Sequence, residues 1–240
     1  MLHSENYNIK QFFPLVTKAI EKGLKALQEG EQEYKASSIE IYAQNIFSRV
    51  HEIDNAFKNI SLTLEYLKKK SYQDSKYNFS EHHSFHVENF LLRLTSVVDR
   101  SYLLAGSTML MVKQSIEKLG GRNPVYKELN NFSPESAKIL TQMNSEIKTL
   151  KQTRNKVAHQ EGFSSKNLCI IQAIENSESV SQAKSITDIM PLEAIKDVVI
   201  EDSVEKFQTV SSAMDELVTE LINSLSFVYS GLHKKYITKI

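Results

Sequence analysis

The sequence predicts an all-α protein: a helical bundle of four to five long helices with a short irregular or β-like insertion after the third long helix. Three observations carry that expectation. Glycine and proline are scarce, 7 and 4 in 240 residues, which favours long uninterrupted helices over a turn-rich β fold. Apolar residues make up 41% of the chain, enough for a core. Those residues also recur at spacings of three and four through several long stretches, the signature of a helix with one buried face.

An early helix is expected over roughly Pro14 to Leu27. The clearest stripe follows: Ile39, Ala43, Ile46, Val50, Ile53, Phe57, Ile60, Leu64 and Leu67 lie along one face. Glu40, Arg49, Glu52, Asp54 and Lys58 fall between them, on the side expected to meet water. The stripe ends at Lys68-Lys69-Lys70, where basic residues suit a helix C-terminus. Ser71 to His83 is polar and reads as a loop.

A second long helix is expected from about Ser84 to Leu119, stopped by Gly120-Gly121. Leu91, Leu94, Val98, Ala105, Met109, Val112, Ile116 and Leu119 form one face and Leu92, Leu103 and Leu110 another, so its middle looks apolar nearly all round. A third helix opens with Ser133 as cap, Pro134 in the first turn and Glu135 at the positive end. Its stripe runs through Leu140, Met143, Ile147, Leu150 and Val157 to Gly162. Leu168 to Ile174 reads as a strand or a short helix, and Asn176 to Ser185 as a mobile loop. The last helix is expected to open at Asp202, with Glu205 completing a capping box, and to run through Phe207, Leu217 and Leu221 to Leu232. The domain reading is residues 1–83 as N-terminal helices packing on the bundle and 84–240 as its core, in one continuous globular unit.

Charge narrows the function classes. Lys+Arg and Asp+Glu are equal at 29 each, so a contact with nucleic acid has to come from a local patch. The single cysteine, Cys169, excludes an internal disulfide framework and reads as a small buried hydrophobe. Met1 to Lys10 lacks the apolar run of a signal peptide, and the longest largely apolar uncharged stretch, between Arg100 and Lys113, is too short to span a bilayer. A cytoplasmic location is the expectation.

One segment carries chemistry. On the third helix the stripe position between Leu150 and Val157 is held by Arg154, a charge where a core residue is expected. Asn155 and His159 are four apart and project from one flank of that helix. His159 precedes Gly162 by less than a turn, where the negative end of the helix dipole favours imidazolium. Lys138, Lys148, Lys151, Arg154 and Lys156 outnumber Glu146 between Lys138 and Gln160, a plausible phosphate surface. Lys148, Lys151 and Lys156 are the candidate RNA-binding lysines. Two carboxylates form a second tier: Asp99, in the row of Leu92, Leu103 and Leu110, as a partner for Arg154, and Glu88 near the start of the same helix.

At these residues the chain resembles the HEPN superfamily, the "higher eukaryotes and prokaryotes nucleotide-binding" helical domains. Its signature is an arginine, a following polar residue, and a histidine four to six residues beyond the arginine, which Arg154, Asn155 and His159 match. The order of a long central helix, the motif late in the next long helix and a long closing helix is similar over roughly Ser84 to Tyr236. The resemblance implies a homodimer with two motifs facing one cleft. It implies RNA cleavage without a metal or other cofactor, the ribose 2′-hydroxyl attacking the adjacent phosphate to leave a 2′,3′-cyclic phosphate. His159 would be the general acid/base, Arg154 the group that stabilises phosphate charge, and Asn155 an orienting partner. A toxin or phage-defence setting, with an antitoxin or regulatory protein as partner, comes with the resemblance. The alternative is a non-catalytic helical dimer that binds RNA, a nucleotide or a protein. Some HEPN toxins carry a modifiable tyrosine two residues after the histidine; Glu161 stands there in this chain.

Two other constellations read more simply. His82, His83 and His86 form one of them: His82 and His86, with Glu81 nearby, have the spacing to grip zinc, but no second ligand cluster accompanies them, so all three read as a solvated helix start. The Phe and Tyr residues are spread at helical spacing and read as core.

Overall fold

In a computed structural model, residues 2–31, 34–148, 150, 166–177 and 180–236 are described. The chain is helical, with no strand among the described residues. After a 3-10 turn at His3–Glu5 come α1 (Tyr7–Lys10), α2 (Phe13–Gln28), α3 (Ser38–Leu67) and α4 (Phe79–Thr108). Then follow α5 (Lys113–Glu117), α6 (Arg122–Phe132), α7 (Pro134–Glu146), α8 (Lys166–Glu175), α9 (Val180–Thr187), α10 (Leu192–Ser224) and α11 (Ser226–Tyr236). No helix among the described residues is long and apolar enough to cross a membrane.

The chain divides into two compact units, each built from separate stretches: Met1–Ala56, Ser96–Ser145 and Met214–Ile240 in the first, Phe57–Thr95 and Glu146–Ala213 in the second. The first unit is organised around Phe12, whose ring meets those of Tyr42 and Tyr229 edge-on at 5.7 and 5.8 Å. Both tyrosine hydroxyls are satisfied at the end of α4: Tyr42 donates to the Thr108 carbonyl (3.3 Å), and the Tyr229 hydroxyl pairs with the Thr108 hydroxyl (2.9 Å). Ile46, Val50, Leu104, Leu140, Met143, Val218 and Leu221 are buried in the same unit.

Two carboxylates placed by their spacing on the solvated side of α3 are buried instead, each because it has partners. Asp54 accepts from the backbone N–H of His3 (2.7 Å) and Ser4 (3.1 Å) and pairs with the His3 imidazole (3.1 Å). Burial alone would raise its carboxyl, but these bonds outweigh burial and hold it at about 2. Glu40 accepts from the Ser37 backbone N–H (2.8 Å), from Lys22 (2.9 Å) and from the Tyr34 hydroxyl (2.7 Å), and sits at about 2, chiefly through the Ser37 bond. Ser37 and Glu40 thereby form a capping box at the start of α3.

The second unit is built on Phe90 and Phe207, stacked at 4.0 Å, with Ile60, Leu67, Val87, Leu168, Ile171 and Val199 buried around them. The segment left open between strand and helix is α8, and residues 180–187, read as loop, are helical. Cys169 is exposed on α8, contrary to its reading as a buried hydrophobe. The closing helix begins at Leu192, ten residues before Asp202, with Pro191 offering its carbonyl to Ala194 and Ile195, so Asp202 lies inside a helix and caps nothing.

The expected helix 84–119 both begins and ends earlier. Its end at Thr108 is a Schellman closure: Met111 N–H reaches the Gly106 carbonyl (3.1 Å) and Leu110 N–H the Ser107 carbonyl (3.1 Å), with Leu110 left-handed at φ 58°. The same closure ends α2, where Gly30 occupies the left-handed position at φ 81°. Gly106 serves a different need, because a Cβ there would stand 2.8 Å from Ile116 and 2.9 Å from Val125. Of the row expected to form a second apolar face, Leu92 on α4 and Leu110 just beyond its end are exposed, at 47% and 63%.

A left-handed leucine is strained by roughly 1–2 kcal/mol, part of which a glycine returns through unfolded-state entropy. Leu110→Gly is expected to raise stability by about 0.5–1 kcal/mol in urea unfolding, and Gly30→Ala to lower it by about 1 kcal/mol. A stabilised Gly30→Ala would contradict the assignment.

Candidate functional site

Arg154, Asn155 and His159, with the flanking Lys151 and Lys156, lie outside the described residues. Before them, α7 runs to Glu146, Ile147 and Leu150 are buried, and Lys148 is exposed; after them α8 begins at Lys166. Glu88 is half-buried on the part of α4 in the second unit.

Asp99 lies on the part of α4 in the first unit, on the outward row, and is 54% exposed. Its carboxylate receives the Arg122 guanidinium through Nε (2.9 Å) and Nη2. The same guanidinium donates to the Asn144 side-chain oxygen (3.0 Å) and lies 5.3 Å from the centre of the Tyr102 ring, while Asn144 donates to the Tyr102 hydroxyl (2.8 Å). The partner seen for Asp99 is therefore Arg122, from α6, a helix that the sequence reading left unassigned. Solvation and this pair together remove the need for a buried counter-charge that drew attention to Asp99.

The densest gathering of chemically active side chains is in the second unit, at the start of α4. Asn78 opens the helix: its side-chain oxygen accepts from the Glu81 N–H (3.1 Å), and Glu81 accepts in return from the Asn78 N–H (2.9 Å). Glu175, at the end of α8, accepts from the backbone N–H groups of Phe79 (3.2 Å) and Ser80 (3.1 Å). The first turn thus has its free donors satisfied, and the helix starts five residues before the expected position.

That start sets where three histidines point. His82 and His86, one turn apart, face the Tyr66 end of α3 and the Tyr72–Tyr77 connection. Tyr72 stacks on His82 at 3.8 Å and 12° and lies near His86 at 5.8 Å and 21°; Tyr66 stacks on His86 at 5.0 Å and 27°. Tyr77 stands at 79° to His82, and Phe85 at 74° to His86. Together with Glu81 these rings line a pocket of about 480 Å³. The Tyr72 hydroxyl donates to the Tyr66 carbonyl (2.8 Å), and the Ser75 hydroxyl bonds His82 Nε2 (2.7 Å), tying the connection to both helices. Burial pushes the Tyr72 hydroxyl up to about 12 and, with His82 and Lys69 nearby, lowers the His86 imidazole.

These histidines are not the solvated helix start that their sequence suggests, since His83 is 1% and His86 9% exposed. Among the described residues, no group of three His, Cys, Asp or Glu is arranged to hold a metal ion. The overlooked signal was aromatic: Tyr66, Tyr72, Tyr77 and Phe85 crowd around the histidines in a stretch otherwise rich in polar residues. No family model, no curated protein and no solved structure matches the chain.

His83 points the other way, its Nε2 on the Ser203 hydroxyl (3.0 Å) and its Nδ1 buried without a hydrogen-bond partner among the described residues. Burial lowers it from 6.5 to about 4. Between those values the unfolded chain binds the extra proton and the folded one does not. The contribution of His83 is therefore complete above pH 6.5 and is lost as the pH drops towards 4, by about 3 kcal/mol over the window. Urea unfolding from pH 7 to 4 is expected to show this slope, and His83→Leu to remove most of it; an unchanged slope in the variant would contradict the burial of a neutral imidazole.

Proposed function

We propose that the chain is a HEPN-type endoribonuclease acting in the cytoplasm as a homodimer, with a toxin or phage-defence role. The observation that carries the reading is the sequence Arg154-Asn155-Lys156-Val157-Ala158-His159, which follows α7 in an all-helical chain. The helical order supports it: a long helix, α4, precedes the motif-bearing segment and a long helix, α10, follows it.

The chemistry needs two proton transfers and a charge clamp. A 2′-hydroxyl loses its proton to a base as its oxygen bonds to phosphorus. The bond from phosphorus to the 5′-oxygen then breaks, and an acid supplies that oxygen with a proton. The products are a 2′,3′-cyclic phosphate and a 5′-hydroxyl. Two copies of His159 in a dimer supply the base and the acid. Arg154 offers a planar bidentate fork to the non-bridging oxygens, which a lysine does not. Asn155 orients the phosphate or the imidazole, and Lys148, Lys151 and Lys156 attract the strand.

Purified protein incubated with a mixed RNA pool in EDTA is expected to cut it. His159→Ala and Arg154→Ala are each expected to lose activity by about two to four orders of magnitude. Cutting by His159→Ala at the unaltered rate would overturn the assignment. RNA held but left intact by all three proteins would replace it with the alternative, a non-catalytic helical binding protein.

A further inference from the structure

The aromatic pocket at the start of α4 is separate from the proposed cleavage motif, and its shape asks for a ligand of its own. Four of its rings, Tyr66, His86, Tyr72 and His82, are nearly parallel, with angles of 12–27° between neighbours. Tyr77 and Phe85 stand almost at right angles to this layer. Tyr72 lies face-to-face on His82, so these rings form a stack, and a planar guest in the pocket extends that stack and meets Tyr77 and Phe85 edge-on. The volume of about 480 Å³ falls within the range of roughly 300–1,000 Å³ typical of small-molecule sites. Tyr77 and Phe85 are 54% and 64% exposed, an apolar rim that gains by being covered.

The polar groups narrow the guest. The His86 imidazole, its pKa lowered by burial and by His82 and Lys69, can exchange hydrogen bonds with ring nitrogens. Glu81 lines the slot and can accept from an exocyclic amino group or a ring N–H. Two ammonium groups flank the lining rings: Lys69 Nζ lies 4.1 Å from the Tyr66 ring centre and Lys76 Nζ 5.1 Å from that of Tyr77. Among the described residues neither is ion-paired, whereas the adjacent Lys70 is held by Asp197 at 2.6 Å. Stacking rings beside free cations are the combination that holds a base and its phosphate together.

We propose that this slot binds a purine nucleotide, its base stacked on the Tyr72–His82 layer and its phosphate received by Lys69 and Lys76. A purine presents a larger π-face than a pyrimidine and so gains more from stacking. The nucleotide is either free or part of a single strand of RNA, and the two sources share the chemistry recognised here. The inference does not rest on the cleavage reading, and loss of that reading leaves it standing.

The test is calorimetric titration of the full chain carrying His159→Ala, so that no RNA is cut, with AMP, GMP, adenosine, UMP and a short oligoadenylate. Saturable binding of AMP or GMP, tighter than UMP, is expected. Phe85→Ser and Tyr77→Ser alter exposed positions and are expected to keep the melting temperature while weakening binding on the order of tenfold. Lys69→Gln with Lys76→Gln is expected to weaken AMP but leave adenosine unchanged. Oligoadenylate bound more tightly than AMP, with the same dependence on Phe85, assigns the slot to RNA; AMP bound alone assigns it to the free nucleotide. Absence of binding by every ligand at millimolar concentration, or binding indifferent to Phe85 and Tyr77, would overturn the proposal. Equal loss for AMP and adenosine in the double lysine variant would overturn the phosphate assignment.

Discussion

The first turn of the helix Phe79–Thr108 is held by three side chains, and the second unit takes its chemical character from that turn. Asn78 and Glu81 cap each other's backbone, while the Glu175 carboxylate accepts from two further N–H groups. A negative group at a helix N-terminus is stabilised by the dipole as well as by its hydrogen bonds. Once the turn is placed, helical geometry does the rest: residues 82 and 86 share a flank and look towards the tyrosines, while residue 83 turns inward towards Ser203. A shift of the helix register by one residue would rotate all three imidazoles by about 100° and dismantle the stack.

The first unit solves a different problem, that of burying polar groups near a tight core. Tyr42 and Tyr229 bring hydroxyls to the centre, and both find Thr108 at the end of α4. Asp54 is 1% exposed, yet the backbone of His3 and Ser4 and the His3 ring use both of its oxygens. Each group is tolerable inside because its hydrogen bonds offset the cost of taking it out of water. The arrangement also secures the N-terminal turn, whose backbone is tied to α3.

Much of this was legible in the residues, and the failures have identifiable causes. Helices α2 and α3 follow their apolar stripes to within a residue or two, because one buried face imposes the period of 3.6. Ends were harder. The end of α4 has no glycine at its left-handed position, where Leu110 stands as Gly30 does after α2. The capping-box pattern occurs at Asp202 and Glu205, where the helix runs straight through, and equally at Ser37 and Glu40 and at Asn78 and Glu81, where boxes exist. The four-residue pattern alone does not separate these cases; what decides is whether the chain before it is helical, and Pro191 starts the closing helix early. Asp54 was assigned to solvent because its partner is fifty-one residues away, beyond any local pattern.

The candidate sites divide in the same way. A compact motif such as Arg154, Asn155 and His159 is visible in the sequence because its members lie within six consecutive residues. The aromatic slot joins the end of one helix, a connection and the start of another, so only the fold assembles it. The claim on which this assembly stands is that side chains close the first turn of α4. Amide hydrogen exchange at Phe79 and Ser80 measures that closure directly. Exchange well below the unfolded-chain rate is predicted in the unaltered protein, with a return towards that rate in Glu175→Ala while Phe90 and Leu94 stay protected. Exchange at Phe79 and Ser80 at the unfolded-chain rate in the unaltered protein would contradict it.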